Sequence, residues 1–274
     1  LNFEMVNTLS FALLAGNIVI LLLLRFEASR LLIGLVQAFP YAAFFFMPLA
    51  KRLVPRHGLV KTFGVAWTVR YLVIAPLVAA PLVAAAGHVS WGIGLVVLGY
   101  LMFQITRGFG LVSISPLTQA IAAGKDRGAW LSQKNMIVYA ASMISGLATS
   151  IALAGGAPLE RYAILMGVGM VLGLAACTFI FRIPEPPGGK VAASTPFLAD
   201  IREAMAEPAY RRYFAAFSLF FFLSGLGRSF FVVYAQKASH FSSDAAMLLM
   251  VIAGFGPIIM GWFSRMALDR LGAK

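Results

Sequence analysis

Residues 3–24 read FEMVNTLSFALLAGNIVILLLL, a run of 22 residues in which Glu4 carries the only charge. A helix needs about 20 mostly apolar residues to cross the hydrocarbon core of a bilayer. A strand of a membrane barrel would alternate apolar and polar residues, and the four leucines at 21–24 do not alternate. Because backbone polar groups in lipid must be hydrogen-bonded within the segment, the run predicts a transmembrane α-helix.

Seven further stretches have similar length and character. The composition agrees, since 61% of the 274 residues are hydrophobic and 12% are charged, against about 45–50% and 25% in soluble domains. The predicted fold class is therefore an all-α integral membrane protein, a multi-span helical bundle. The further predicted spans are residues 31–50, 62–84, 93–121, 131–154, 161–182, 212–235 and 244–265.

The basic residues are distributed unevenly among the loops. The chain has 22 Lys and Arg against 10 Asp and Glu, a net charge of +12. Fifteen of the 22 fall in loops on one side of the predicted membrane and four on the other. Cytoplasmic loops are enriched in Lys and Arg, so both ends of this chain are predicted to be cytoplasmic, in the cell (inner) membrane. The topology accounts for the basic charge without a nucleic-acid partner.

An enzyme is not predicted. Intramembrane hydrolysis needs a nucleophile with a base, or paired acids, within the bilayer. The histidines His57, His88 and His240 lie in predicted loops, and no Asp or Glu lies deep in a predicted span. The single cysteine, Cys177, allows no disulfide within the chain. We therefore expect no catalytic residue, metal site or cofactor, and the partners expected are the lipid bilayer and a small solute.

The longest loop divides the chain into two unequal parts. It opens with Pro184 and continues EPPGG, residues that end a helix. Within it Thr195 can cap, and Pro196 can begin, a short helix that Pro208 ends. Its apolar face would lie on the membrane surface, the alternative being a disordered linker. The predicted domains are a six-helix bundle at 1–183, a cytoplasmic loop at 184–211 and the first two helices of a second bundle at 212–274.

The two parts share a loop pattern. Residues 55–61 read PRHGLVK and residues 269–274 read DRLGAK, each with an Arg two positions before a Gly. This pattern resembles the loop motif of the major facilitator superfamily, which joins helices 2 to 3 and 8 to 9, although Pro55 stands where the family usually has Asp. Carried over by position, the gating motif comprises Arg56, Gly58, Asp269, Arg270 and Gly272.

The fourth predicted helix adds to the resemblance. Its Arg-Gly-Phe-Gly at 107–110, with Pro116 and the Arg-Gly at 127–128, is similar to the family's helix 4 to helix 5 stretch, with Gln104 where that motif commonly has Arg. The resemblance implies two parallel six-helix repeats, a second repeat truncated here, and alternating access about a central cavity. It further implies a monomeric secondary transporter of a small solute, with a proton or sodium ion as the possible coupling ion. Because the chain runs from Leu1 to Lys274, immediately after a predicted helix, we expect both ends to continue in a longer protein.

Three arginines fall inside predicted spans, where an ionisable group costs ~2.5–3.5 kcal/mol and indicates a functional site. Arg107 lies near the centre of helix 4, on one face with Gln104 and Ser115. The resemblance places Arg107 and Arg228 on cavity-lining helices and Arg70 in the outer scaffold. The candidate substrate-binding residues are Arg107, Gln104, Arg228, Asn17 and Ser115.

Several alternatives stay open at this point. Arg107 either contacts substrate or bonds Gln104 and backbone carbonyls to hold helices together. Arg70 is expected to be structural, with a stem long enough to bring its charge to the cytoplasmic surface. The small pair Gly169 and Gly173 is expected to serve helix packing. Arginines without a mid-depth acid predict an anionic or zwitterionic solute; the alternatives are a neutral or lipophilic solute, a non-transporting receptor or scaffold of the same fold, or an intramembrane enzyme.

Overall fold

A computed structural model describes residues 1–122, 127–187, 197–237 and 241–242, with isolated positions between 245 and 263. All regular structure in these residues is α-helical, which confirms the predicted all-α class. The helices are α1 (Asn2–Leu14), α2 (Asn17–Arg25), α3 (Arg30–Lys51), α4 (Val54–His57), α5 (Leu59–Leu72), α6 (Ala75–Ala85), α7 (Val89–Ala122), α8 (Arg127–Leu153), α9 (Leu159–Ile180), α10 (Phe197–Ala206) and α11 (Pro208–Lys237).

Six helical segments in the described part of the chain are long and apolar enough to cross a membrane. They are Asn2–Arg25, Arg30–Lys51, Leu59–Ala85, Val89–Ala122, Trp130–Leu153 and Leu159–Ile180. Each coincides with one of the first six predicted spans, to within a few residues at either end. The surface of the bundle is apolar as well, with Leu31 85% and Phe45 82% exposed. Such a surface suits lipid rather than water, so the chain has the make-up of a multi-pass membrane protein.

Two of the six segments are interrupted, which the hydropathy pattern did not predict. The first breaks between α1 and α2 at Gly16, whose φ of 68° and ψ of −124° favour glycine. A side chain at Gly16 would meet nothing within 4 Å, so backbone conformation rather than space requires the glycine. The third segment breaks between α5 and α6, where Pro76 in the first turn of α6 has no N–H to continue the ladder.

The bundle packs through close helix approaches. α1 lies along α8 and α9, α3 lies along α7, and α5 and α6 lie between α7 and α9. On α9, a Cβ added to Gly169 would come within 2.9 Å of the Leu13 Cβ on α1, and the Tyr71 ring of α5 covers Gly173. These contacts confirm the packing role expected for the Gly169 and Gly173 pair.

One end of the bundle gathers the segments that the charge count assigns to the cytoplasm. A cavity of about 610 Å³ is lined by Leu1, Phe63, Ile121, Trp130 and Ile183, among others. The starts of α1, α5 and α8 and the ends of α7 and α9 therefore lie together. This arrangement fits six spans that alternate in direction, while the orientation of the bundle in the membrane stays a prediction.

The remaining elements match the sequence in part. The helix α10 replaces the disordered linker that was the alternative for this segment, and its Asp200 forms an ion pair with Lys51 at the end of α3. The helix α11 covers the predicted seventh span, 212–235, but is not among the six membrane-length apolar segments of the described residues. The predicted eighth span is described only at isolated positions, and Asp269, Arg270 and Gly272 lie outside the described residues.

Candidate functional site

Arg70 is buried in the middle of the bundle. The residue is 1% exposed, and its guanidinium carbon lies 3.8 Å from the centroid of the Phe103 ring and 4.8 Å from that of Trp67. A cation over an aromatic face is attracted by the ring's negative centre. The expectation that the Arg70 charge reaches the cytoplasmic surface is therefore wrong, because the rings of three helices hold the guanidinium inside the bundle.

The aromatic stack leaves part of the Arg70 hydrogen-bonding capacity unused. Its Nε and Nη2 atoms are buried without a hydrogen-bond partner among the described residues. Buried polar groups are nearly always hydrogen-bonded, and each exception calls for an explanation. A ligand that accepts hydrogen bonds from these two atoms would provide one.

Arg107 and Gln104 lie together on α7, as their spacing predicted. The Arg107 Nη1 atom donates to Gln104 Oε1 at 3.5 Å, which is at the long limit for a hydrogen bond. Gln104 is fully buried, and its Nε2 atom has no partner in the described part of the chain. The long contact between Arg107 and Gln104 uses the Gln104 oxygen and leaves its nitrogen without a partner among the described residues.

Phe11 joins the two arginines into one group. Its ring centroid lies 5.2 Å from the guanidinium carbon of Arg70 and 5.8 Å from that of Arg107. We call Phe11, Arg70, Gln104 and Arg107 the arginine cluster. It lies where α1, α5 and α7 meet.

Hydrogen-bonded side chains surround the arginine cluster. The Asn7 Oδ1 atom accepts hydrogen bonds from Trp67 Nε1 at 2.8 Å and from Tyr71 Oη at 2.7 Å. Ser10 Oγ donates to the backbone oxygen of Gly169 at 2.5 Å. These bonds fix α1 against α5 and α9, so the orphaned donors sit in a well-ordered frame.

The described spans supply no acid to balance the two arginines. Within the six membrane-length segments the acidic residues are Glu4 and Glu160, each in the first turn of its helix. Glu4 already pairs with Lys134, at 2.7 Å. Unpaired charge buried away from water is costly, so the cluster is suited chemically to holding an anion.

The other predicted site residues lie elsewhere. Asn17 is the first residue of α2, next to the break, and is partly buried. Ser115 is exposed, whereas Ser113 is buried without a hydrogen-bond partner among the described residues. Arg228 belongs to α11, and its side chain lies outside the described residues. The structure thus brings Gln104 and Arg107 together and does not add Ser115 to them.

Two members of the cluster, Arg70 and Phe11, were missed as site residues. A signal for Arg70 was available, since Trp67 and Tyr71 lie three residues before it and one after it. Aromatic neighbours at this spacing offer a cation–π alternative to a charge that reaches the membrane surface. Phe11 carried no such signal, because it is one of 23 phenylalanines in an apolar chain.

The first copy of the loop motif forms a contact that the sequence did not predict. Gly58 has φ of 86° and immediately precedes α5, while Arg56 is exposed on the short helix α4. A Cβ at Gly58 would lie 2.8 Å from the carboxylate carbon of Glu185, which follows α9. The Gly of the motif is therefore needed both for its backbone conformation and for the approach of Glu185.

No protein-family model, curated protein or solved structure matches the chain. What the site can do is therefore inferred from its own chemistry.

Proposed function

We propose that the protein is a secondary transporter, of the kind found in the major facilitator superfamily, that moves a small solute across the cell membrane by alternating access. The observation that carries this proposal is the arginine cluster, in which two guanidinium groups lie inside a bundle of membrane-length helices and Arg70 has two donors without a partner among the described residues. Ionisable groups at this depth are costly and mark solute or ion pathways. A bundle needed only as a scaffold would gain nothing from leaving the Arg70 donors without a hydrogen-bond partner.

The broken first helix supports the same function. Substrate sites of secondary transporters are often built from discontinuous helices near the bilayer midplane, because half-helix ends supply free backbone groups. The break at Gly16 lies beside Tyr100, which also lies beside Gln104 of the arginine cluster. An interrupted backbone and unpaired side chains therefore meet in one region of the bundle.

The proposed solute is anionic or zwitterionic. An arginine can hold a carboxylate or phosphate through two parallel hydrogen bonds, and a water-poor site strengthens the attraction. A neutral, sugar-like or lipophilic solute is the alternative. A proton or sodium ion is the proposed coupling ion, and gating would involve the loop that contains Arg56 and Gly58.

The test is uptake of labelled small organic anions by liposomes that contain the protein. Arg107→Gln should abolish most of the uptake, and Arg107→Lys should keep part of it, because lysine retains the charge but not the planar fork. Arg161→Gln is the matched control, since Arg161 is an exposed arginine that donates to Ala152 O. Normal uptake by folded Arg107→Gln would refute the substrate role, and anion binding without uptake would favour a receptor of the same fold.

A further inference from the structure

We propose that the arginine cluster holds a divalent anion, with Arg70 as the second ligand beside Arg107 and with Phe11 as the ring that contacts both arginines until the anion binds. The proposal rests on the transport function above and names the class of solute. The expected solute carries either two carboxylates or a phosphoryl group.

The unused N–H donors of the arginine cluster favour a ligand with two negative charges. A guanidinium has five N–H donors and no acceptor. The described residues leave Arg70 Nε, Arg70 Nη2 and Gln104 Nε2 without partners. One carboxylate can occupy one guanidinium fork, which would leave the other arginine buried and unpaired. A divalent anion neutralises both arginines and can also accept from the Gln104 amide.

The spacing of the arginines fits one small molecule. The two guanidinium carbons lie 5.2 Å and 5.8 Å from the Phe11 centroid, so they cannot be more than 11.0 Å apart, the sum of those distances. A short dicarboxylate can place one carboxylate on each arginine across such a gap. A phosphate, whose charges share one centre, can contact both arginines where their guanidinium groups lie closer together than this upper limit.

Phe11 controls access to the buried arginine. Arg107 is partly exposed, whereas Arg70 is 1% exposed and enclosed by aromatic rings. The Phe11 ring stacks on Phe103, with centroids 6.2 Å apart, and thereby completes the enclosure of Arg70. An anion would therefore meet Arg107 first and reach Arg70 only after Phe11 moves.

The broken helix allows such a movement. Phe11 lies in the last turns of α1, which ends at Leu14, just before the break at Gly16. A rotation of α1 about this break would break the hydrogen bonds of Asn7 and Ser10 to α5 and α9, and it would carry Phe11 without displacing α2. The break and the ring together couple arrival of the anion to a change in α1, as alternating access requires.

A structural role for Arg70 is the competing explanation. Its stacking on Phe103 and Trp67 would hold α5 against α7 with no ligand involved. In that case loss of Arg70 would destabilise the fold and weaken binding of all anions alike. Selectivity between divalent and monovalent anions separates the two roles, because stability alone does not change it.

The experiment measures binding of succinate, phosphate and acetate to the purified protein by titration calorimetry, at constant ionic strength and at a pH above the second pKa of phosphate, where phosphate is divalent. The wild type should bind the better of the two divalent anions at least about tenfold more tightly than acetate. Preference for succinate would identify a dicarboxylate solute, and preference for phosphate a phosphoryl solute. Failure of both to bind at millimolar concentration would overturn the proposal.

The variants Arg70→Gln and Arg107→Gln should each lose the preference for the divalent anion, and Arg161→Gln should keep it. A folded Arg70→Gln that retains the preference, or that loses affinity for succinate and acetate equally, would overturn the proposal. If Arg70→Gln does not fold, the uncharged and flexible Arg70→Met replaces it, and an unchanged ratio of succinate to acetate affinity in that variant would also overturn the proposal.

Failure of this inference differs from failure of the transport function. Uptake of monovalent anions that depends on Arg107 but shows no preference for divalent anions would support the transport function. It would contradict the role of Arg70 as a second ligand. Binding of succinate that depends on Arg70, without uptake of any solute, would support the divalent-anion site. It would contradict the transport function.

Discussion

Glu185 caps the helix that begins at Leu59. Its carboxylate oxygens accept hydrogen bonds from the backbone N–H of Leu59 at 2.5 Å and from that of Val60 at 2.9 Å. The first N–H groups of a helix have no partner within it, and this end carries partial positive charge. An acid that follows α9 thus completes the start of α5, 126 residues before it in the chain, and ties together two helices of the bundle.

We expect Glu185→Gln to lower the stability of the protein by about 1 kcal/mol, because the amide loses the charge and offers one acceptor in place of two. Thermal unfolding in detergent measures the effect. The control is Glu160→Gln, which removes an exposed acid from the first turn of α9. An unfolding temperature of Glu185→Gln equal to that of the wild type would show that the cap contributes nothing.

Two glycines on α9 test the packing of the bundle. A Cβ on Gly169 would lie 2.9 Å from Leu13 Cβ and from Leu14 Cγ, whereas the nearest atom to a Cβ on Gly167 is Val78 Cγ1 at 3.9 Å. Both substitutions to alanine favour the helix by up to about 1 kcal/mol. Only Gly169→Ala also forces α1 away, at a cost of about 1–3 kcal/mol.

We therefore expect Gly167→Ala to unfold at or above the wild-type temperature and Gly169→Ala to unfold below it. Thermal unfolding in detergent measures both variants and the wild type. A destabilised Gly167→Ala together with a neutral Gly169→Ala would mean that α1 and α9 do not approach each other at Gly169.

The sequence was sufficient for features that depend on local pattern. Hydropathy predicted the six spans, turn residues predicted the helix α10, and helical spacing predicted the contact of Gln104 with Arg107. The seventh and eighth spans and the second copy of the loop motif stay predictions.

Features that depend on distant residues were not predictable in this way. The cap by Glu185 and the stack of Arg70 on Phe11 and Phe103 join helices that are separated in sequence. The break at Gly16 also gave no signal, because glycine is common within membrane helices. Which faces meet is decided by packing of the whole bundle, and hydropathy does not contain that information.

The orientation of the bundle can be measured with single cysteines. The loops on one side of the predicted membrane contain fifteen Lys and Arg, and those on the other side contain four. This difference places the loop of His57 in the cytoplasm and the loop of His88 outside. Both residues are exposed, and the native Cys177 is buried. In a Cys177→Ser background, a thiol reagent that cannot cross the membrane should label His88→Cys in whole cells and His57→Cys only after lysis. The reverse result would invert the topology.

Gly16 and Gly94 form a matched pair that tests the broken first helix. A Cβ at either position would meet nothing within 4 Å, so steric contact cannot distinguish their substitutions. They differ in backbone conformation, because Gly16 has φ of 68° and Gly94 lies within α7. Alanine at Gly16 must either accept strain of about 1–3 kcal/mol or draw the break toward continuous helix. Either response shifts α1, and with it Phe11, relative to Arg70.

We expect Gly16→Ala to lower solute uptake severalfold, because the shift of α1 disturbs the arginine cluster. Gly94→Ala should be neutral or slightly stabilising, since alanine favours helix. Uptake by both variants in liposomes, normalised to the amount of folded protein, provides the comparison. Undiminished uptake by Gly16→Ala would show that the break is not part of the transport cycle. The proposed movement of Phe11 about this break would then be contradicted.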